Sequence, residues 1–199
     1  GNDGQSIELG MKFRATADGE ITALRYYRPA GTTGTRIGNL WTSTGVNLAQ
    51  QAFTADTGSG WQEIALAAPV AITAGTTYVV SYFSPSGDYV ATQNVFTQPT
   101  GPGPVYGLAN GTDGPNGVYG YSLTSTFPTQ TFNASSYFAD VVFATSGVDT
   151  TPPIVVTHTP ATGAIGVATS IAPTITFSEA MDATTVNATT IELRDAGAA

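Results

Sequence analysis

Apolar and polar positions alternate over short stretches along most of the chain, the period-two pattern of half-buried β-strands. Ile7, Leu9, Met11 and Phe13 fall on one face, and Glu8, Gly10, Lys12 and Arg14 on the other. Asp18-Gly19 then marks a turn. In the strand Ile21–Tyr27, the phase that buries Leu24 and Tyr26 exposes Arg25 and Tyr27; the opposite phase would bury an arginine. Ile37–Ser43 and Asn47–Phe53 read as a hairpin about Thr44-Gly45. Trp61–Leu66, Thr77–Phe83, Tyr89–Phe96, Tyr119–Tyr121 and Tyr137–Thr145 supply further strands. Eight or more short strands separated by turn signals predict an all-β fold, an antiparallel sandwich of jelly-roll type.

Two segments break the pattern. Residues 97–118 are rich in Pro, Gly and Asn, hold Tyr106, and end near Tyr119 and Tyr121. A loop of this length in a compact domain is functional or disordered. Ser146–Pro153 reads as a boundary, with a stiff linker over 147–152 between a module at 1–146 and a second domain at 153–199. Beyond it, Ile154–Thr159, Ile171–Phe177 and Thr190–Arg194 are expected strands, and Asp182 suits the N-cap of a short helical turn. These 47 residues fall short of the roughly 100 that close an immunoglobulin-type sandwich. The second domain is therefore expected to be cut short, with unpaired strand edges.

Composition narrows the setting. Charged residues are 10% of the 199, and the formal net charge is -8. That sign disfavours nucleic acid and anionic membranes as partners. No apolar run is long enough to span a bilayer as a helix. There is no cysteine, so disulfide and thiol chemistry are excluded. Low charge with abundant Thr, Gly and Asn fits a bacterial extracellular module. The chain opens on Gly1, and is expected to be a piece of a longer secreted protein.

Blocks in a fixed order carry a family resemblance. Ile21–Arg28 (ITALRYYR), Asn39–Gly45 (NLWTSTG), Gly60–Glu63 (GWQE), Pro69–Tyr82 (PVAITAGTTYVVSY) and Phe127–Phe143 (FPTQTFNASSYFADVVF) make residues 1–145 resemble the bacterial domain-of-unknown-function family 4082. Ile171–Asp195, centred on Phe177-Ser178-Glu179-Ala180-Met181-Asp182, looks like the first half of an S-layer-type bacterial Ig-like domain. The resemblance implies a β-sandwich module followed by a truncated Ig-like sandwich. It also implies a secreted, multidomain parent in which such modules accompany carbohydrate-active, adhesive or hydrolytic domains. It supplies no catalytic residues.

Candidate chemistry is sparse. His158 is the single histidine, and nothing marks a nucleophile or acid beside it, so an exposed structural role is expected. One His and no Cys cannot build the usual zinc ligand set. No spacing singles out a catalytic pair among the fourteen acids. Calcium is the one cofactor left open, with Asp3 and Asp18 as candidate ligands. Trp41 and Trp61 are expected to pack between the sheets. Tyr27, Tyr89, Tyr106, Tyr119 and Tyr121 sit near turns or in the long loop, where aromatic faces can meet a sugar ring.

The charge distribution adds one anomaly. Five of the six basic residues lie between Lys12 and Arg36. Strand phasing puts Lys12, Arg14 and Arg25 outward on strands expected to be adjacent, beside Tyr27. Arginine pairs bidentately with carboxylate or sulfate, which would suit an anionic polysaccharide. The structural alternative is cross-strand pairing with Glu8, Glu63 or Asp140. The leading expectation is a non-catalytic module that binds polysaccharide or cell-surface glycan. Its candidate ligand residues are Lys12, Arg14, Arg25, Tyr27, Tyr106, Tyr119 and Tyr121. The alternative is a spacer that positions a neighbouring enzyme domain.

Overall fold

The apolar phase of the first strand, β1 (Ile7–Ala15), points Ile7, Leu9 and Phe13 into a fully buried core. The computed structural model describes residues 1–55, 58–101, 103–145, 153–179, 181, 186, 187, 189 and 190. The chain divides into two units, 1–147 and 148–199.

In the first unit β1 is followed by β2 (Gly19–Arg28), β3 (Ile37–Thr42), β4 (Asn47–Ala52), β5 (Gly60–Ile72) and β6 (Tyr78–Ser84). After a long connection come β7 (Val105–Gly107), β8 (Val118–Tyr121), β9 (Gln130–Thr131) and β10 (Ala139–Thr145). These form two antiparallel sheets. The larger runs β4-β3-β6-β1-β8-β9, with β7 also on β1; the smaller runs β10-β2-β5. One core draws on both: Leu9, Leu40, Val80 and Tyr82 from the large sheet meet Leu24, Tyr26, Leu66 and Val141 from the small one. Tyr26 packs edge-on to Phe53 and tilted against Tyr82, with centroids 4.7 and 4.8 Å away. The fold is the antiparallel β-sandwich that the alternation predicts.

Three local departures have physical causes. Tyr89–Phe96 is not a strand. Thr92 makes a single two-bond bridge to Ser136, then Asn94 turns left-handed (φ 61°) into a 3-10 turn at Val95–Thr97 that buries Phe96. β5 runs well past the predicted Leu66, because a bulge at its residues 66–69, opposite Thr22, lets Val70–Ile72 pair with Gly19–Ile21. Pro69 is tolerated there because β5 is an edge strand. The described residues of the Pro/Gly-rich loop are anchored to the sandwich: they include β7, and Leu108 and Asn116 are buried.

The large sheet carries a second, smaller core on its outer face. Trp41, Val79 and Val118 are buried there under Phe127. Trp41 is 7% exposed and donates its indole N–H to Ser81 Oγ at 2.7 Å. It is thus buried outside the sandwich rather than between the sheets.

In the second unit β11 (Val155–Thr159) pairs antiparallel with β12 (Thr174–Phe177), extended by Ser178 N–H to the Ile154 carbonyl. His158 is exposed, with Nδ1 2.7 Å from the Pro160 carbonyl. The predicted linker at 147–152, the helical turn at Asp182 and all of the predicted strand Thr190–Arg194 but its first residue lie outside the described residues. Among the described residues no helix is long and apolar enough to cross a membrane.

Candidate functional site

The basic cluster does not survive as one patch. The turn at residues 16–18 carries the chain from the large sheet to the small one, so β1 and β2 are not neighbours. Lys12 and Arg14 face out from the large sheet and Arg25 from the small one. Lys12 Nζ donates to the Asp113 carbonyl at 2.5 Å. Arg14 Nε donates to Thr77 Oγ1 at 2.9 Å, and its guanidinium lies 3.7 Å from the Asp113 carboxylate. Both are held by the loop rather than presented beside Tyr27. Arg28 donates to the Thr32 carbonyl at 2.6 Å. Arg36, the last member of the cluster, is fully buried and donates to the carbonyls of Thr33 and Gly34.

Arg25 is paired from both sides. Register places it opposite Glu63 on β5 and Asp140 on β10, at 3.6 and 3.3 Å. Burial pushes the Asp140 carboxyl above its ordinary value, against a hydrogen bond from the Val141 N–H and the Arg25 charge, which pull it down. Arg25 also stacks over the indole of Trp61, its guanidinium carbon 5.0 Å from the ring centroid.

Two residues along each strand, on the same face, lie three rings. Tyr27, Trp61 and Phe138 form a triangle with centroid separations of 5.9, 6.0 and 6.3 Å. Trp61 is 44% exposed, where the sequence suggested a core residue. Phe138 is held at φ 55°, a region that bulky side chains rarely occupy. Beside the triangle lies a cleft of about 240 Å³ that joins Trp61, Phe138 and Asp140 to Tyr106, Thr100 and Gly101 of the long loop. Tyr27, Arg25 and Tyr106 thus belong to one neighbourhood, while Lys12 and Arg14 do not.

Tyr119, Tyr121 and Asp3 meet elsewhere. They line a cavity of about 230 Å³ with Tyr89, Tyr137 and Phe132, floored by Ile7 and Leu9. Asp3 accepts from Tyr89 at 3.0 Å and from Tyr121 at 2.7 Å. The other calcium candidate, Asp18, accepts from the Ala74 N–H at 2.7 Å. Among the described residues no three His, Cys, Asp or Glu side chains gather as a metal site.

Glu8 is also distant from Arg25. It is wholly buried on the outer face of the large sheet, accepting from Ser81 (2.5 Å), Asn39 (2.9 Å) and Ser125 (2.9 Å). Desolvation pushes its carboxyl up to about 7, opposed by those hydrogen bonds and one from the Thr126 backbone.

Trp61, Phe138, Phe132 and Tyr137 were not singled out as ligand residues by sequence. Trp61 carried a usable signal. If Glu63 pairs with Arg25 on the outer face, period two puts Trp61 there as well. Phe132 and Tyr137 carried none, because their neighbours come from distant parts of the chain.

Comparison with family models matches residues 1–139 to a domain of unknown function, DUF4082, and residues 149–199 to a bacterial Ig-like domain. No curated protein and no solved structure matches the chain significantly.

Proposed function

The chain belongs to the DUF4082 family, and we propose that its sandwich is a non-catalytic glycan-binding module of a secreted or surface-displayed bacterial protein. The observation that carries this reading is the ring triangle of Tyr27, Trp61 and Phe138 on an open sheet face. Trp61 offers exposed indole surface to the apolar face of a pyranose. Asp140 and Glu63 provide acceptors for sugar hydroxyls, and Arg25 holds both in place. The backbone of Phe138 supports the same reading, since a conformation costing about 1–3 kcal/mol is characteristic of a ligand site.

One cation between two carboxylates leaves the face with net negative charge. That favours a neutral glycan over the anionic polysaccharide that the basic cluster suggested. The Ig-like match at 149–199 supports the extracellular setting.

Affinity electrophoresis through gels containing neutral or acidic polysaccharides tests the proposal. The protein should be retarded by at least one neutral polymer, and Trp61→Ala should abolish the effect. Retardation by acidic polymers alone would point back to an anionic ligand. No retardation in any gel would leave a spacer role.

A further inference from the structure

The tyrosine-lined cavity around Asp3 has its own chemistry. Its walls are rings set nearly at right angles: Tyr119 to Tyr121 (5.7 Å, 73°), Tyr119 to Tyr137 (6.4 Å, 70°) and Tyr89 to Tyr137 (5.8 Å, 80°). Phe132, 52% exposed, and Tyr121, 41% exposed, stand at its mouth. The carboxylate of Asp3 is fixed between the hydroxyls of Tyr89 and Tyr121. Among the described residues no lysine or arginine lines the space. The nitrogen of Gly1 is held at the Tyr89 carbonyl and does not line it.

A hollow lined by several aromatic rings, with one carboxylate and, among the described residues, no lysine or arginine, is complementary to a bulky, weakly hydrated positive charge. An ordinary ammonium keeps a tight water shell that such walls cannot replace. A methylated ammonium has little water to lose and fills the volume with methyl groups. We propose that the Asp3–Tyr89–Tyr119–Tyr121–Tyr137 cavity binds a quaternary ammonium group of the choline type. The phenols stay neutral under ordinary conditions: those of Tyr89, Tyr121 and Tyr137 are each pushed up to about 12. For Tyr121 the leading cause is its hydrogen bond to Asp3, and for the other two it is burial. Among the described lining residues Asp3 is therefore the one that brings a negative charge.

Calorimetric or NMR titration of the 199-residue chain with choline chloride tests the site against 3,3-dimethylbutan-1-ol, the neutral isostere of choline. Choline should bind saturably, and the isostere about tenfold more weakly. Asp3→Asn preserves the shape and an acceptor oxygen. It should weaken choline about fivefold or more and leave the isostere unchanged. Trp61→Ala, outside the cavity lining, should alter neither. Phosphatidylcholine vesicles separate two sources of the headgroup. Sedimentation that free choline competes away supports a lipid-borne group. Binding of free choline without sedimentation supports a soluble or polymer-borne one. The proposal is overturned by equal affinity for choline and isostere, by no saturable choline binding, by an Asp3→Asn protein that still binds choline fully, or by vesicle binding that choline does not compete.

Discussion

The side chain of Asn116 takes the place of a strand beside Lys12. Its Oδ1 accepts the Lys12 N–H at 2.7 Å and its Nδ2 donates to the Lys12 carbonyl at 3.0 Å. The gap it fills is a consequence of topology. β8 pairs with β1 only as far as Gly10 and β7 begins pairing at Phe13, so on the edge away from β6 Lys12 would otherwise keep only the Leu108 N–H, 3.0 Å from its carbonyl. Asn116 also reaches the Leu108 carbonyl at 2.7 Å, which ties the long loop to the sheet. Asn116→Ala would strand several buried backbone groups, each costing about 1–3 kcal/mol. The expected loss is about 3 kcal/mol in urea unfolding. Asn116→Asp should be no better, because a carboxylate cannot donate to the two carbonyls.

Glu8 makes stability depend on pH in an unusual direction. Its carboxyl titrates near 7 in the fold, against an ordinary value of 4.5. Between those values the folded state holds a proton that the unfolded state has released. Stability is therefore complete below about pH 4.5, falls as pH rises to 7, and is level above that. At about 1.4 kcal/mol for each pH unit of the interval, the ionised carboxylate costs about 3 kcal/mol at pH 8. Glu8→Gln should be the more stable protein at pH 8 and should flatten the dependence. Urea midpoints measured from pH 4.5 to 8.5 would show it; a wild-type midpoint that rises over this range would refute the assignment.

The sandwich was legible in the sequence because its evidence is local. Alternation in β1 and β2 gave the correct inward faces, including Leu24 and Tyr26 in and Arg25 and Tyr27 out. Which sheet each strand joins is not local. The residues between β1 and β2 look like a hairpin turn whether the next strand pairs with β1 or crosses the core, and here they cross. That single choice separated Lys12 and Arg14 from Arg25. The pairing alternatives for Arg25 were nearer the mark, since two of the three acids named, Glu63 and Asp140, flank it. Glu8 was misread because period two distinguishes faces, not burial, and residues 122–127 cover its face from far along the chain. The tyrosine cavity was beyond reach for a similar reason: its lining spans residues 3 to 137.

The two tryptophans should be spectroscopically distinct. Trp41 is sealed under Phe127, ring centroids 5.7 Å apart, whereas Trp61 lies open beneath Arg25. Acrylamide quenching should resolve an accessible and a protected population. Trp61→Phe should remove the accessible one and leave blue-shifted emission from Trp41. If glycan binds on the small sheet, it should protect the accessible population alone. A uniform quenching curve would place both indoles in similar surroundings and contradict this packing.

Arg25 is the residue whose removal separates structural from ligand effects on the small sheet. Its two ion pairs are partly exposed, so each contributes about 0–1 kcal/mol, and the stacking on Trp61 a similar amount. Arg25→Ala should therefore cost about 1 kcal/mol at neutral pH and low salt, and less in molar salt. The pH dependence distinguishes the partners. Asp140 is already raised by burial and is restrained in part by Arg25, so without the arginine its carboxyl rises further. A raised carboxylate costs stability as pH climbs from its unfolded value through its folded one. The gap between wild type and Arg25→Ala should thus widen above pH 3.8 and close as pH falls toward it. Glu63 is the more exposed partner, so Asp140→Asn combined with Arg25→Ala should remove most of this dependence, and Glu63→Gln with Arg25→Ala little of it. Thermal unfolding of the four proteins between pH 3.5 and 7.5 decides the matter: a gap that is constant with pH would mean Asp140 does not depend on Arg25.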